Sequence, residues 1–222
     1  MVQFLARMRR RTRAFRRSVQ QMKGKRMPVT YTNRKGVTYY LCQGVTKTGK
    51  PRYYFARELQ GDPVEQIPEG YIISESVNAV VSLVKARPAQ ILPEEIAAVE
   101  SAVRRHPKSR NYRVGVKQDR IEVYERRGPD VDDLVPVIRG MGVTMPDLAE
   151  VLQARLDKNA QFAPEMRFIL VDAEQRTFRA QRMCYRGSVD GFIDLHLDWG
   201  PIDVLARRLI PTLGTAEFFE LY

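Results

Sequence analysis

Asp194, His196 and Asp198 recur at every second position in this 222-residue chain. On a β-strand that spacing gathers a carboxylate, an imidazole and a second carboxylate on one face, as a metal ion or an acid–base pair would need. The same alternation sets positions i and i+4 about 13 Å apart, so one ion cannot take both aspartates. His106, the only other histidine, would have to join from elsewhere in the chain to complete a ligand set. The expectation is a solvated strand face, with Ile193, Leu195, Leu197 and Trp199 facing inward.

Three further sets fail on mechanism. Gly44 to Lys50 reads G-x4-G-K, but Pro51 replaces the hydroxyl residue that would hold Mg²⁺. The segment that follows is also rich in strand formers, where a phosphate-binding loop needs a helix N-terminus. Asp172, Glu174 and Arg176 set carboxylates beside a base, as a metal-dependent nuclease would, yet an arginine cannot release the proton that such a base must. Ser188 does not sit as a nucleophile in Gly187–Gly191, and no His–Asp pair accompanies it. The expectation is a non-enzymatic chain with no metal and no cofactor.

Charge is the feature that remains. Ten of 37 basic residues fall in positions 1–26, which hold no acid, so this segment carries +10 of the formal +11. Its apolar residues Phe4, Leu5, Met8, Phe15, Val19 and Met22 follow the helical period, and arginines fill the other faces. A basic amphipathic arm over 1–27 is predicted. It works against a polyanion: nucleic acid, an anionic membrane surface, or a targeting receptor. The phosphate-contacting candidates there are Arg7, Arg9, Arg10, Arg11, Arg13, Arg16, Arg17, Lys23, Lys25 and Arg26.

A second basic region follows at once. Five of the ten tyrosines lie between residues 31 and 54, interleaved with Arg34, Lys35, Lys47, Lys50 and Arg52, and no acid intervenes before Glu58. Aromatic faces beside cations are what single-strand surfaces use. Tyr and Phe are equally good strand formers, so the pattern also fits a sheet core. Tyr40 and Tyr53 are the candidates for an exposed stacking face.

These residues need elements to position them. Hairpins are predicted over 37–44 and 52–57, over 71–75 and 80–85, and over 112–117 and 120–125. A helix spans 93–105, with Pro93 and two glutamates in its first turn. Gly128–Pro129 reads as a boundary, beyond which 15 acids meet 10 bases. An αα-hairpin packed on a sheet follows, over 131–139 and 146–156, with Thr144 as a cap and Leu148, Val151, Leu152 and Leu156 buried. Three strands and a closing helix over 202–210 complete the chain.

The predicted fold is α+β. Residues 28–128 form a hairpin-rich subdomain with one helix. Residues 129–222 form an acidic subdomain of an αα-hairpin, a three-stranded antiparallel sheet and a closing helix, able to meet a protein partner. No run is long and apolar enough to span a membrane. Arginines interrupt any secretory signal, and Cys42 and Cys184 stand alone as two buried thiols, so a cytoplasmic site is expected. The functional expectation is binding of DNA or RNA through phosphates, with an anionic membrane surface or a protein partner as the alternative and a metal-dependent nuclease as the third reading.

Overall fold

The computed structural model describes residues 27–186, 189–195 and 199–220. Residues 1–26 of the predicted arm, Gly187–Ser188 and the His196–Asp198 part of the alternating set lie outside them. The chain divides into two compact units, 27–74 with Val81–Val84, and Glu75–Val80 with everything from Lys85 onward.

In the first unit the central strand is β2 (Thr38–Val45). It pairs antiparallel with β1 (Thr30–Thr32) and β4 (Asp62–Pro63) along one edge and with β3 (Pro51–Ala56) along the other. Each turn has a local cause. The Asn33 side-chain oxygen accepts the N–H groups of Lys35 (3.1 Å) and Val37 (2.9 Å), which bends the chain from β1 into β2. Between β2 and β3, Thr46 and Lys50 close the turn backbone to backbone at 2.9 Å. Gly61 has φ +80°, and a Cβ there would lie 2.8 Å from the Gln43 carbonyl oxygen, so only glycine lets the chain return against β2. Strands β5 (Tyr71–Glu75) and β6 (Val81–Lys85) form a separate two-stranded sheet.

The second unit is built on a five-stranded antiparallel sheet in the order β11-β10-β9-β8-β7. Its strands are β7 (Tyr112–Val116), β8 (Arg120–Arg126), β9 (Phe162–Asp172), β10 (Thr177–Arg186) and β11 (Val189–Asp194). Helix α1 (Pro93–Arg105) and helix α4 (Ile202–Leu209) bury their apolar faces with one side of this sheet. Val99, Ala102 and Val103 meet Leu205, Ala206 and Leu209 over Ile121, Val123, Met166, Phe168 and Phe178. The short helix α5 (Ala216–Glu220) adds Phe218, which is fully buried. Helices α2 (Val131–Gly140) and α3 (Leu148–Asn159) fill the connection between β8 and β9.

The mixed α and β character matches the prediction, and several details do not. The expected three-stranded sheet has five strands, because β8 pairs with β9 across the Gly128–Pro129 break. An unpaired β8 edge would leave a row of peptide groups without partners, and β9 satisfies them. Strands β1 and β4, of three and two residues, are additional to the predicted hairpins. Helices α2 and α3 pack on each other and bury only Val131 and Leu148, so they are not laid on a sheet as expected. Val151 is 49% exposed where burial was predicted. Helix α3 begins after Asp147 and not at Thr144, since Met145–Leu148 forms its own turn. Trp199 is 61% exposed, because β11 ends at Asp194 and the inward alternation stops with it. Among the described residues no helix is long and apolar enough to cross a membrane.

Candidate nucleic-acid interface

Cross-strand partners share a face of a sheet, and this decides where the tyrosines point. Tyr40 pairs with Ala56, Cys42 with Tyr54, and Gly44 with Arg52. Tyr40, Arg52 and Tyr54 therefore share one face with Thr30, Thr32 and Thr38. Gln43 pairs with Tyr53 and Leu41 with Phe55, which puts Tyr53 on the opposite face with Tyr39, Tyr31 and the fully buried Leu41. Tyr40 and Tyr53 thus do not form one stacking surface. The predicted pair is divided because the turn register aligns residue 40 with residue 56, an even–even match.

Packing then separates the roles. Tyr53, half-buried, meets Tyr71 edge to face at 6.1 Å within the first unit, which engages its ring in packing. Tyr54 folds down on the backbone: its hydroxyl donates to the Gln60 carbonyl at 2.7 Å, and a Cβ at Gly44 would come within 3.2 Å of its ring. Tyr40 remains half-buried on the Arg52 face.

The cations fall into two groups. Arg34 and Lys35 are exposed in the β1–β2 turn; Lys47, Lys50 and Arg52 are exposed at the β2–β3 end. The eight residues of β2 lie between them, a length of about 26 Å. The remaining predicted cations, Arg7 to Arg26, are outside the described residues. The G-x4-G-K segment forms the hairpin turn itself, with Gly49 at φ +79°.

The other sequence candidates have structural explanations. Asp172 accepts the N–H groups of Glu174 and Gln175, each at 2.8 Å, and Arg176 is bound to Glu95, so this set is a polar turn. Both ring nitrogens of His106 are used, one accepting from the Lys108 N–H at 3.1 Å and the other donating to the Leu213 carbonyl at 3.2 Å. Cys42 and Cys184 are buried and free. Among the described residues no group of three or more His, Cys, Asp and Glu side chains could hold a metal ion.

Two clusters in the second unit escaped sequence reading. One lies beneath the C-terminal segment, where the buried Glu165 faces Glu125, and Glu125 accepts from the Tyr112 hydroxyl at 3.1 Å. Burial, and then the Glu125 charge, push the Glu165 carboxyl up to about 7 against the pull of Arg127 and Arg182. Burial and the same Glu125 carboxylate also raise the Tyr112 phenol.

The second cluster occupies the sheet face opposite α1 and α4. One row across the strands is Arg120–Ile169–Arg179, and the next is Glu122–Arg167–Gln181–Asp194. Arg120 binds Glu122 (2.8 Å) and Asp119 (3.0 Å), and Arg179 binds Asp194 (3.2 Å). Arg167 donates to Gln181 at 2.6 Å, and its guanidinium lies over the Phe192 ring, 3.9 Å from the centroid. No single-sequence pattern marks this group, because it exists only once four strands are in register.

A polar cleft of about 650 Å³ lies between the 3-10 turn Ser109–Asn111, α2 and α3. On its wall Asp130 is bound by Arg126 and Asn111. Burial opposes ionisation of that carboxyl, but the bonds from Asn111 and Arg126, with Lys108 nearby, hold it below the usual range.

Comparisons of this chain with protein-family models, curated proteins and solved structures returned no match.

Proposed function

We propose that this chain is a non-enzymatic nucleic-acid-binding protein that grips phosphates with residues 1–26 and with the basic turns of its first sheet. The observation that carries the reading is the separation of charge: +10 resides in 26 residues, and the remaining 196 are nearly neutral. A segment of that density binds phosphates and releases their counterions. Arg34, Lys35, Lys47, Lys50 and Arg52, all exposed, extend the cationic surface along the first sheet. Of the two tyrosines on the Arg52 face, Tyr40 is the one for contact with a base, since the Tyr54 hydroxyl is held by the Gln60 carbonyl, and Tyr53 is reassigned to packing.

The acidic C-terminal part serves in this reading as scaffold and as a surface for a protein partner. Its α2–α3 hairpin exposes Val137, Met141, Val143 and Met145, at 55%, 76%, 39% and 45%. Titration of the full chain and of a chain lacking 1–26 against DNA, RNA and anionic vesicles tests the whole proposal. Saturable nucleic-acid binding that falls with the deletion supports it. Binding to vesicles alone, abolished by Phe4→Ser with Phe15→Ser, would replace it with the membrane-surface reading.

A further inference from the structure

We infer that the face of the five-stranded sheet opposite α1 and α4 carries a second anion site, centred on Arg167, whose ligand is a phosphate ester. The inference goes beyond the reading above, since it involves neither the arm nor the first sheet.

Three arginines from three adjacent strands converge here. Arg120 and Arg179 flank Ile169 in one row, and Arg167 occupies the next position on that face of β9. The nearby carboxylates are already spent. Asp119 and Glu122 are bound to Arg120, and Asp194 to Arg179. Among the described residues Arg167 makes no ion pair, and its hydrogen bond goes from Nε to a neutral amide. Burial, then the charges of Arg120 and Arg179, lower its pKa against the opposing pull of Glu122 and Asp119.

The group is also held in place. Gln181, 5% exposed, accepts from Arg167 and donates in turn to Asp194 at 2.9 Å, and Phe192 supports the guanidinium plane. Nη1 and Nη2 are thereby left as a fixed two-pronged donor, the geometry that suits a phosphate or carboxylate in bidentate contact. The flanking side chains Arg120 and Arg179, 32% and 36% exposed, favour an anion with several oxygens. A phosphate ester meets that description, whether in a free nucleotide or in a single strand. The Arg167–Phe192 stack would also offer a plane to an attached base.

The test uses the full chain, with inorganic phosphate, uridine 5′-monophosphate and a uridine dodecamer RNA as probes. Arg167→Met is expected to weaken uridine monophosphate binding at least tenfold while the melting temperature holds or rises, because an unpaired, half-buried charge has been removed. Arg167→Lys keeps the charge but loses fork and stack, and is expected to recover only a small part of the affinity. Loss of dodecamer binding in parallel, with the dodecamer displacing the mononucleotide, identifies a strand as the source; loss of the mononucleotide alone identifies a free nucleotide. Equal affinities for wild type and Arg167→Met, no binding of any probe by wild type, or a lowered melting temperature with unchanged affinity would overturn the site. The arm is scored separately by its salt dependence, so either proposal can fail without the other.

Discussion

Arg176 and Glu95, 81 residues apart in sequence, are joined at two points: Nε to Oε1 at 2.8 Å and Nη2 to Oε2 at 2.5 Å. Glu95 also accepts the Leu92 N–H at 2.7 Å, so one buried carboxylate caps α1 and fastens the β9–β10 turn to it. Arg176 adopts φ +52° to reach it, a left-handed conformation that the ion pair must offset. Arg176→Ala strands a buried carboxylate and should cost about 3 kcal/mol in urea denaturation. Replacing both residues, Glu95→Leu with Arg176→Met, should cost markedly less than that single change. Equal losses would mean that the charge is not what holds the turn.

Salt dependence measures the arm. Each phosphate neutralised on duplex DNA adds about −0.9 to the slope of log K against log[salt]. An arm engaging about six phosphates therefore contributes a slope of about −5. Deleting residues 1–26 should flatten the dependence by that amount while the melting temperature of the remainder stays put. An unaltered slope would place the phosphate contacts elsewhere.

The two tyrosines of the hairpin should now behave differently. Tyr53→Ala removes the contact with Tyr71 and is expected to destabilise by about 2 kcal/mol with little change in affinity per folded molecule. Tyr40→Ala should leave the melt nearly unchanged and weaken single-strand binding by about 1–3 kcal/mol if one base stacks there. Matched calorimetric melts and anisotropy titrations separate the two, and a reversal of the pattern would invert the assignment of faces.

The Glu165 carboxyl predicts an unusual pH dependence. Its folded value of about 7 lies above the ordinary 4.5, so the folded state binds more protons than the unfolded state between them. The contribution is complete below about pH 4.5 and is lost as pH rises through 7. Glu165→Gln should abolish this fall and make the protein more stable than wild type at pH 8, by about 1–3 kcal/mol. Denaturant midpoints collected from pH 5 to 8 check the sign; a wild-type midpoint that climbs over this range contradicts it.

What the sequence makes legible is local. Pro93, two following glutamates and apolar steps of three and four specify α1, and the hairpins follow from alternation broken at Gly49, Asn78 and Asp119. The pairing of β8 with β9 is not local: it spans the intervening α2–α3 segment, and the Gly128–Pro129 turn and charge reversal point the other way. Alternation within a strand is visible and groups Tyr40 with Tyr53, while the register between strands is set by turn geometry and divides them. The Arg120–Arg167–Arg179 group is hidden for the same reason, each arginine alone being an ordinary strand residue. Short strands such as Asp62–Pro63 have too few positions to show any period.

The Arg127 N–H donates to the Gln161 carbonyl at 2.7 Å, so the chain leaves the sheet and rejoins it at a single hydrogen bond after the excursion through α2 and α3. The sheet itself is a meander in which each strand lies beside its predecessor in sequence. Its core contains no residue of that excursion. Residues 128–160 are in this sense an insert: a tight turn from Arg127 to Gln161 would close the same ladder at a smaller loop-closure entropy. Beyond Asp130, which Arg126 and Asn111 hold at its root, the helical hairpin can therefore diverge, lengthen or shorten without disturbing the layer that folds, and the apolar side chains it exposes are free to follow whatever surface it meets.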